Sequence, residues 1–158
     1  MTAQFQDGSI RKRLIDLLRY IILGLGLVVA TSQAKPQDEV DARVAYELMQ
    51  DGKITIVDIR TPQEWRQTGV AKGAKRVNLL HPNGLQGFAQ QLYEVTGADL
   101  NAPIVLICRT GSRTSKVLPI LQQAGFTNIR HVPQGMIGNS SGDGWIKLGL
   151  PIEPCVDC

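Results

Sequence analysis

Apolar positions along the chain switch repeatedly between a helical and a strand spacing. From Val40 to Gln50 the apolar residues Val44, Ala45, Leu48 and Met49 recur at helical intervals, which predicts a helix, and Asp51-Gly52 ends it. Ile54-Thr55-Ile56-Val57 is a β-branched run and predicts a strand. Pro62 to Gln67 predicts a short helix with proline near its start. The stretch from Gly69 to Asn78 predicts a turn, then a short strand from Arg76 to Leu79. Leu85 to Val95 places Phe88, Leu92 and Val95 on one helical face. Ile104 to Ile107 is a wholly apolar run bounded by Pro103, the mark of a short buried strand. A helical pattern through Val117, Leu118, Ile120 and Leu121 follows, and Gly125 stops it. Asn128 to Val132 predicts another strand, Gly135 to Gly144 a glycine- and serine-rich loop, and Trp145 to Leu148 a short helix. Strands alternating with helices predict an α/β domain with a central parallel sheet and helices on both faces.

The first 34 residues follow a different logic. Arg11-Lys12-Arg13 is a basic flank, Tyr20 to Ala30 an apolar core, and Ser32-Gln33-Ala34 a small-residue cleavage site before Lys35-Pro36. Eleven helical residues reach roughly 16 Å, well short of the ~30 Å of a bilayer core. We therefore read 1–34 as a signal peptide and 35–158 as a periplasmic domain, with Lys35 to Glu39 as a polar linker. The alternative is an uncleaved anchor in the inner membrane, with the domain facing the periplasm; an ordinary cytosolic helix is the plain reading of the same pattern. The membrane enters only through this segment.

Composition is that of an ordinary globular chain, 43% hydrophobic and 20% charged. The net charge is +3, of which +2 lies before Lys35, so the domain has no basic excess that would suit nucleic acid.

The chemistry concentrates after the Ile104 strand. The strand delivers Cys108 to its carboxyl end, and Arg109, Thr110, Gly111, Ser112, Arg113 and Thr114 form a loop that runs into the next helix. A sulfur in front of a helix N-terminus faces unpaired N–H groups and the positive end of the helix dipole. Such surroundings stabilise an anion, and the thiolate is the nucleophilic form of cysteine. Gly111 is the residue able to take the left-handed turn that such a loop needs. Arg109 or Arg113 would hold the anionic end of a substrate. The plain alternatives are a small buried hydrophobe for Cys108 and solvated arginines for the other two.

The loop Cys108-Arg109-Thr110-Gly111-Ser112-Arg113-Thr114 resembles the active-site loop of single-domain rhodaneses. Ile56-Val57-Asp58-Ile59-Arg60-Thr61-Pro62-Gln63-Glu64-Trp65 resembles the signature near the start of that domain, and Gly149-Leu150-Pro151-Ile152 its closing segment. The resemblance implies a rhodanese-like three-layer α/β fold and a sulfurtransferase that needs no cofactor. Such an enzyme moves a sulfane sulfur from thiosulfate or a similar donor through a persulfide on Cys108. The acceptor would be cyanide or a thiol, a protein sulfur acceptor included. It also implies that Asp58 and Arg60 support the loop, against the plain reading of a surface ion pair. The sequence departs from the family pattern at Gly69-Val70-Ala71-Lys72-Gly73-Ala74, and at Gln134-Gly135, where Gly-Gly is usual.

Two rival functions remain. Rhodanese-fold phosphatases use Cys-x5-Arg, whereas Cys108 and Arg113 are spaced Cys-x4-Arg, a smaller ring suited to a smaller reacting centre. A non-catalytic persulfide relay or binding module would keep the same loop. Trp65 is expected to anchor the core, and Trp145 either to wall the pocket or to pack the end of the fold. His81 and His131 fall at no metal spacing with the cysteines and read as structural residues. Cys155-Val156-Asp157-Cys158 offers only two metal ligands with no matching pair, so no metal site is expected, and it lacks the following helix that activates the first cysteine of a thioredoxin. In an oxidising compartment a Cys155–Cys158 disulfide is the simplest reading, with a copper-binding or sulfur-accepting tail as the sharper one.

Overall fold

The structure, a computed structural model, describes residues 36–158. Residues 1–34, read from the sequence as a signal peptide or anchor, lie outside the described residues. Four strands form a wholly parallel sheet: β1 (Thr55–Asp58), β3 (Lys75–Arg76), β4 (Ile104–Ile107) and β5 (Ile129–His131), in the spatial order β3-β1-β4-β5. The helices are α1 (Ala42–Gln50), α2 (Pro62–Thr68), α3 (Gly84–Val95) and α4 (Ser112–Gln123).

Alternation along the strands builds two cores. Ile104, Leu106 and Cys108 point to one face, with Phe88 and Leu92 of α3 and Val117, Leu118 and Leu121 of α4. Val105 and Ile107 point to the other, with Ala42 and Ala45 of α1, Met136 and Trp145. The three-layer α/β arrangement expected from the sequence is therefore present, with β1 and β4 buried on both faces.

Local sequence explains where the elements begin. Asp41 caps α1, its side chain accepting from Arg43 N at 2.8 Å. Thr61 and Glu64 form a capping box on α2, with Pro62 in its first turn. Gly111 precedes α4 in the left-handed region, φ 82°, and no side chain caps that helix.

Some boundaries differ from expectation. The third strand is Lys75–Arg76 rather than Arg76 to Leu79, because the chain leaves the sheet edge after Arg76; Val77 and Leu79 still bond back to Asp58 and Ile59. Trp145 to Leu148 forms turns rather than a regular helix, with Leu148 N bonded to Gly144 O, Gly149 N to Ile146 O and Leu150 N to Trp145 O. Glu39, read as linker, bridges His131 in parallel, and Val40 N donates to His131 O, which extends the sheet beyond β5. A two-stranded antiparallel pair, β2 (Val70–Ala71) with β6 (Ile152–Glu153), brings the end of the chain back to the domain.

Trp145 packs the end of the fold. It is fully buried, meets Tyr46 edge-to-face at 5.8 Å, and donates its Nε1–H to Pro151 O at 2.9 Å. Trp65 is buried as expected but belongs to neither core: it borders a cavity with Asp157 and Cys158 of the C-terminal tail, and its Nε1–H has no partner among the described residues.

Candidate active site

β4 carries Cys108 to the carboxyl end of the sheet, where it is fully buried. The chain then folds over β5's exit. Cys108 O accepts from Met136 N at 2.9 Å and Arg109 O from Ile137 N at 3.0 Å. Asn139 Nδ2 donates to Thr110 O and Pro133 O, both at 2.9 Å, pinning the tip of the loop. A Cβ at Gly111 would stand 1.8 Å from Pro133 O, so its glycine is required by both φ and space. A Cβ at Gly135 would also clash with the loop's own backbone, 2.5 Å from Cys108 O. The departure at Gln134 therefore spares the glycine that touches the loop.

Among the described hydrogen bonds, none uses the backbone N–H of any residue from Arg109 to Thr114. Those donors belong to the loop and the uncapped first turn of α4, beside the sulfur they follow. On the side-chain side, Thr114 Oγ1 lies 3.8 Å from Cys108 Sγ. Thr114 donates its proton to Gly111 O at 2.8 Å, so the contact at 2.9 Å with His131 Nδ1 is an N–H donation from the ring. Thr114 and His131 are both buried. Burial pushes His131 below its ordinary value, with Glu39 and Asp38 pulling the other way. Glu39 stands 4.0 Å from Nε2 at the surface end of this chain of contacts. The reading of His131 as a packing residue missed this link. Its position at the carboxyl end of β5, beside the strand that carries Cys108, was the available signal.

The two loop arginines differ sharply. Arg113 grips Glu64 of α2 through both Nη atoms, the Nη1–Oε2 contact being 2.7 Å. That bond holds Glu64 down at about 2, helped by Thr61, and raises Arg113. Arg109 is exposed and has no side-chain partner among the described residues. Ser112 opens α4 at the surface, and its carbonyl accepts from Ser115 Oγ at 3.0 Å.

Asp58 and Arg60 are buried, not a surface pair. Arg60 Nε donates to both carboxylate oxygens at 2.9 Å and Nη2 to Oδ2 at 2.6 Å. The remaining guanidinium donors reach Thr68 Oγ1 at 2.6 Å and Gly69 O at 2.7 Å. The pair thus ties the end of β1 to the end of α2, the helix whose Glu64 holds Arg113. Neither residue bonds directly to the cysteine loop among the described hydrogen bonds; both reach it through α2.

At the chain end, Cys155 and Cys158 are joined by a disulfide, with Cα atoms 5.6 Å apart. Asp157 adds a third potential metal ligand within 4.8 Å of both sulfurs, beyond the two legible in the sequence spacing. The guanidinium of Arg76 occupies that cluster, which argues against a cation there. His81 serves only its own turn, accepting from Asn83 N at 3.1 Å. A cavity of about 530 Å³ is an apolar groove between α3 and α4, away from Cys108 and without a reacting group, so it is not the site.

Comparison with known proteins agrees with this arrangement. The family model described as Rhodanese-like domain matches residues 41–138. Thiosulfate sulfurtransferase 16, chloroplastic, of Arabidopsis thaliana is 31% identical, over 77% of this chain and 97% of its own. The thiosulfate sulfurtransferase GlpE of Haemophilus influenzae is 30% identical, over 75% of this chain and 96% of its own. Among solved structures, Rv0390 from M. tuberculosis superposes with a TM-score of 0.59 at 24% identity, covering 74% of this chain and 97% of that one, a likeness of fold. A parallel sheet that ends in a cysteine loop, and a family match that spans most of that sheet, place this chain in the rhodanese-like domain family.

Proposed function

We propose that the protein is a sulfurtransferase that carries sulfane sulfur as a persulfide on Cys108. Family membership and the sulfurtransferase names of the two curated relatives support the general activity. One observation supports the specific step: Cys108 lies against a loop and an uncapped helix start whose N–H groups from Arg109 to Thr114 have no protein partner among the described residues. The Cys108 thiolate attacks the outer sulfur of thiosulfate. The S–S bond of the donor breaks, sulfite leaves, and Cys108 holds –S–S⁻. An acceptor nucleophile, a thiol or cyanide, then attacks the outer sulfur, and Cys108 departs as thiolate. Charge sits on sulfur at each stage. Fixed backbone donors in a buried site stabilise it without having to reorganise. Arg109, the loop arginine without an acidic partner, is assigned to the donor's sulfonate end.

The phosphatase reading fares worse. Its arginine must close on phosphate, whereas Arg113 is committed to Glu64. Steady-state assays separate the readings. Thiosulfate-to-cyanide transfer should vanish in Cys108→Ser, and the unmodified protein should turn over thiosulfate faster than aryl phosphates. Faster phosphate ester hydrolysis would reverse the assignment.

With this goes the proposal that residues 1–34 export the domain. N-terminal sequencing of exported protein that begins at Lys35 supports cleavage; a retained Met1 supports the anchored form.

A further inference from the structure

The carboxyl end of the sheet holds a second sulfur centre. Arg76 ends the edge strand β3 in register with Asp58, whose partner on β4 is Ile107, the residue before Cys108. Two strand spacings, about 10 Å, therefore separate the backbones of Arg76 and Ile107. The C-terminal tail is docked at that place. β6 pairs with β2, Arg66 Nη1 donates to Cys158 O, and Arg76 donates to Asp157 Oδ1 at 2.6 Å and Oδ2 at 3.0 Å. Fixed in this way, Arg76 Nη1 lies 2.5 Å from Cys155 Sγ and 3.1 Å from Cys158 Sγ. Both cysteines are half-buried and border cavities, of about 350 Å³ at Cys155 and 300 Å³ at Cys158.

A crosslink between residues three apart closes too small a loop to add much to stability. A guanidinium held against both sulfurs has a different consequence. It stabilises a thiolate, both as nucleophile and as leaving group, when the disulfide is opened. We propose that reduced Cys155 and Cys158 form an internal acceptor that takes sulfane sulfur from the Cys108 persulfide and releases it as sulfide. The inference rests on the sulfurtransferase reading and adds a reductive half to it.

The step balances. The Cys155 thiolate attacks the outer sulfur of Cys108–S–SH, the bond to Cys108 breaks, and Cys108 leaves as thiolate. The Cys158 thiolate then attacks Cys155 Sγ. The Cys155–Cys158 bond forms and the sulfane sulfur leaves as hydrosulfide. The two cysteines lose two electrons and the sulfane sulfur gains them. A dithiol oxidoreductase or a small dithiol restores the pair by thiol–disulfide exchange.

The test is a single turnover of the full chain. The protein is reduced, freed of reductant and given one equivalent of thiosulfate without oxygen. The expected result is stoichiometric sulfide, an oxidised tail and no sulfur left on Cys108. Cys158→Ser should release none and hold its persulfide on the 155-containing peptide. Arg76→Gln should slow sulfide release by about tenfold, as for the loss of a charge-assisted hydrogen bond. The double change Cys155→Ser and Cys158→Ser should abolish sulfide release and leave transfer to cyanide unchanged. If sulfur stays on Cys108 above a reduced tail, or the double variant releases sulfide at the unmodified rate, this inference is overturned and the sulfurtransferase reading stands. If Cys108 takes up no sulfur and cyanide-dependent turnover is absent, both fall together.

Discussion

At the scale of single residues, the site divides the work among groups that look alike in the sequence. Arg109 and Arg113 flank the same turn, yet Glu64 holds Arg113 from 49 positions away and leaves Arg109 to solvent. No local pattern reveals a partner that distant, which is why the sequence left the two arginines equivalent. Arg109→Ala should therefore raise KM for thiosulfate by roughly 10- to 100-fold, as for a lost hydrogen bond to a charged group. Steady-state kinetics at several donor concentrations check this; a change in kcat alone would move Arg109 off the donor. Thr114 and His131 show the same limit. Thr114 was legible as part of the loop, whereas His131 reaches Cys108 only through it. Burial lowers the folded-state value of His131 from 6.5. As pH falls through 6.5 the unfolded chain takes a proton that the folded protein resists. Stability contributed by His131 is therefore complete above that pH and is lost below it. His131→Gln should flatten this limb of stability against pH, as read by denaturant unfolding, and an unchanged limb would assign it to another group.

At the scale of elements, α2 is the part that turns a cysteine loop into a fixed site. Its C-terminal end is held by the buried Asp58–Arg60 pair through Thr68 and Gly69 O, and its first turn holds Arg113. Pro62 near its start made this helix visible in the sequence, whereas the Thr61–Glu64 capping box came only with the structure; the strand–loop–helix at Cys108 was visible from one apolar run and one glycine. The β2–β6 pair was not visible. It joins two residues that follow α2 to two residues near Cys158, and segments so short carry no periodicity. Trp145 to Leu148 forms turns rather than the expected helix, and Trp145 is held there by Tyr46 and Pro151 O, tertiary contacts that local spacing does not encode. Glu64→Gln should cost about 1 to 3 kcal/mol, because it removes a charged partner and weakens the cap in one change. The Glu64 carboxyl is held at about 2, against an ordinary 4.5. Its contribution is thus present above pH 4.5 and disappears as pH falls toward 2, so the variant's loss should shrink in acid. Chemical denaturation at neutral and acidic pH measures both; an equal loss at each would mean that the carboxylate charge plays no part.

At the scale of the whole molecule, two cores back a single active edge. Ile104, Leu106 and Cys108 share one face, Val105 and Ile107 the other, so the strand that positions the proposed nucleophile is fixed from both sides. That rigidity suits the proposed reaction, in which charge stays on sulfur and fixed donors have no need to move. In the proposed reaction Cys108 Sγ is the atom that carries the sulfane sulfur. The most direct measurement is peptide mass after the reduced protein takes up thiosulfate, with the tail cysteines changed to serine so that nothing inside the molecule drains the persulfide. The account predicts one added sulfur on the 108-containing peptide, removed by cyanide as thiocyanate, and neither sulfur nor turnover in Cys108→Ser. Sustained turnover in Cys108→Ser, or turnover by the unmodified protein with no sulfur ever found on that peptide, would contradict it.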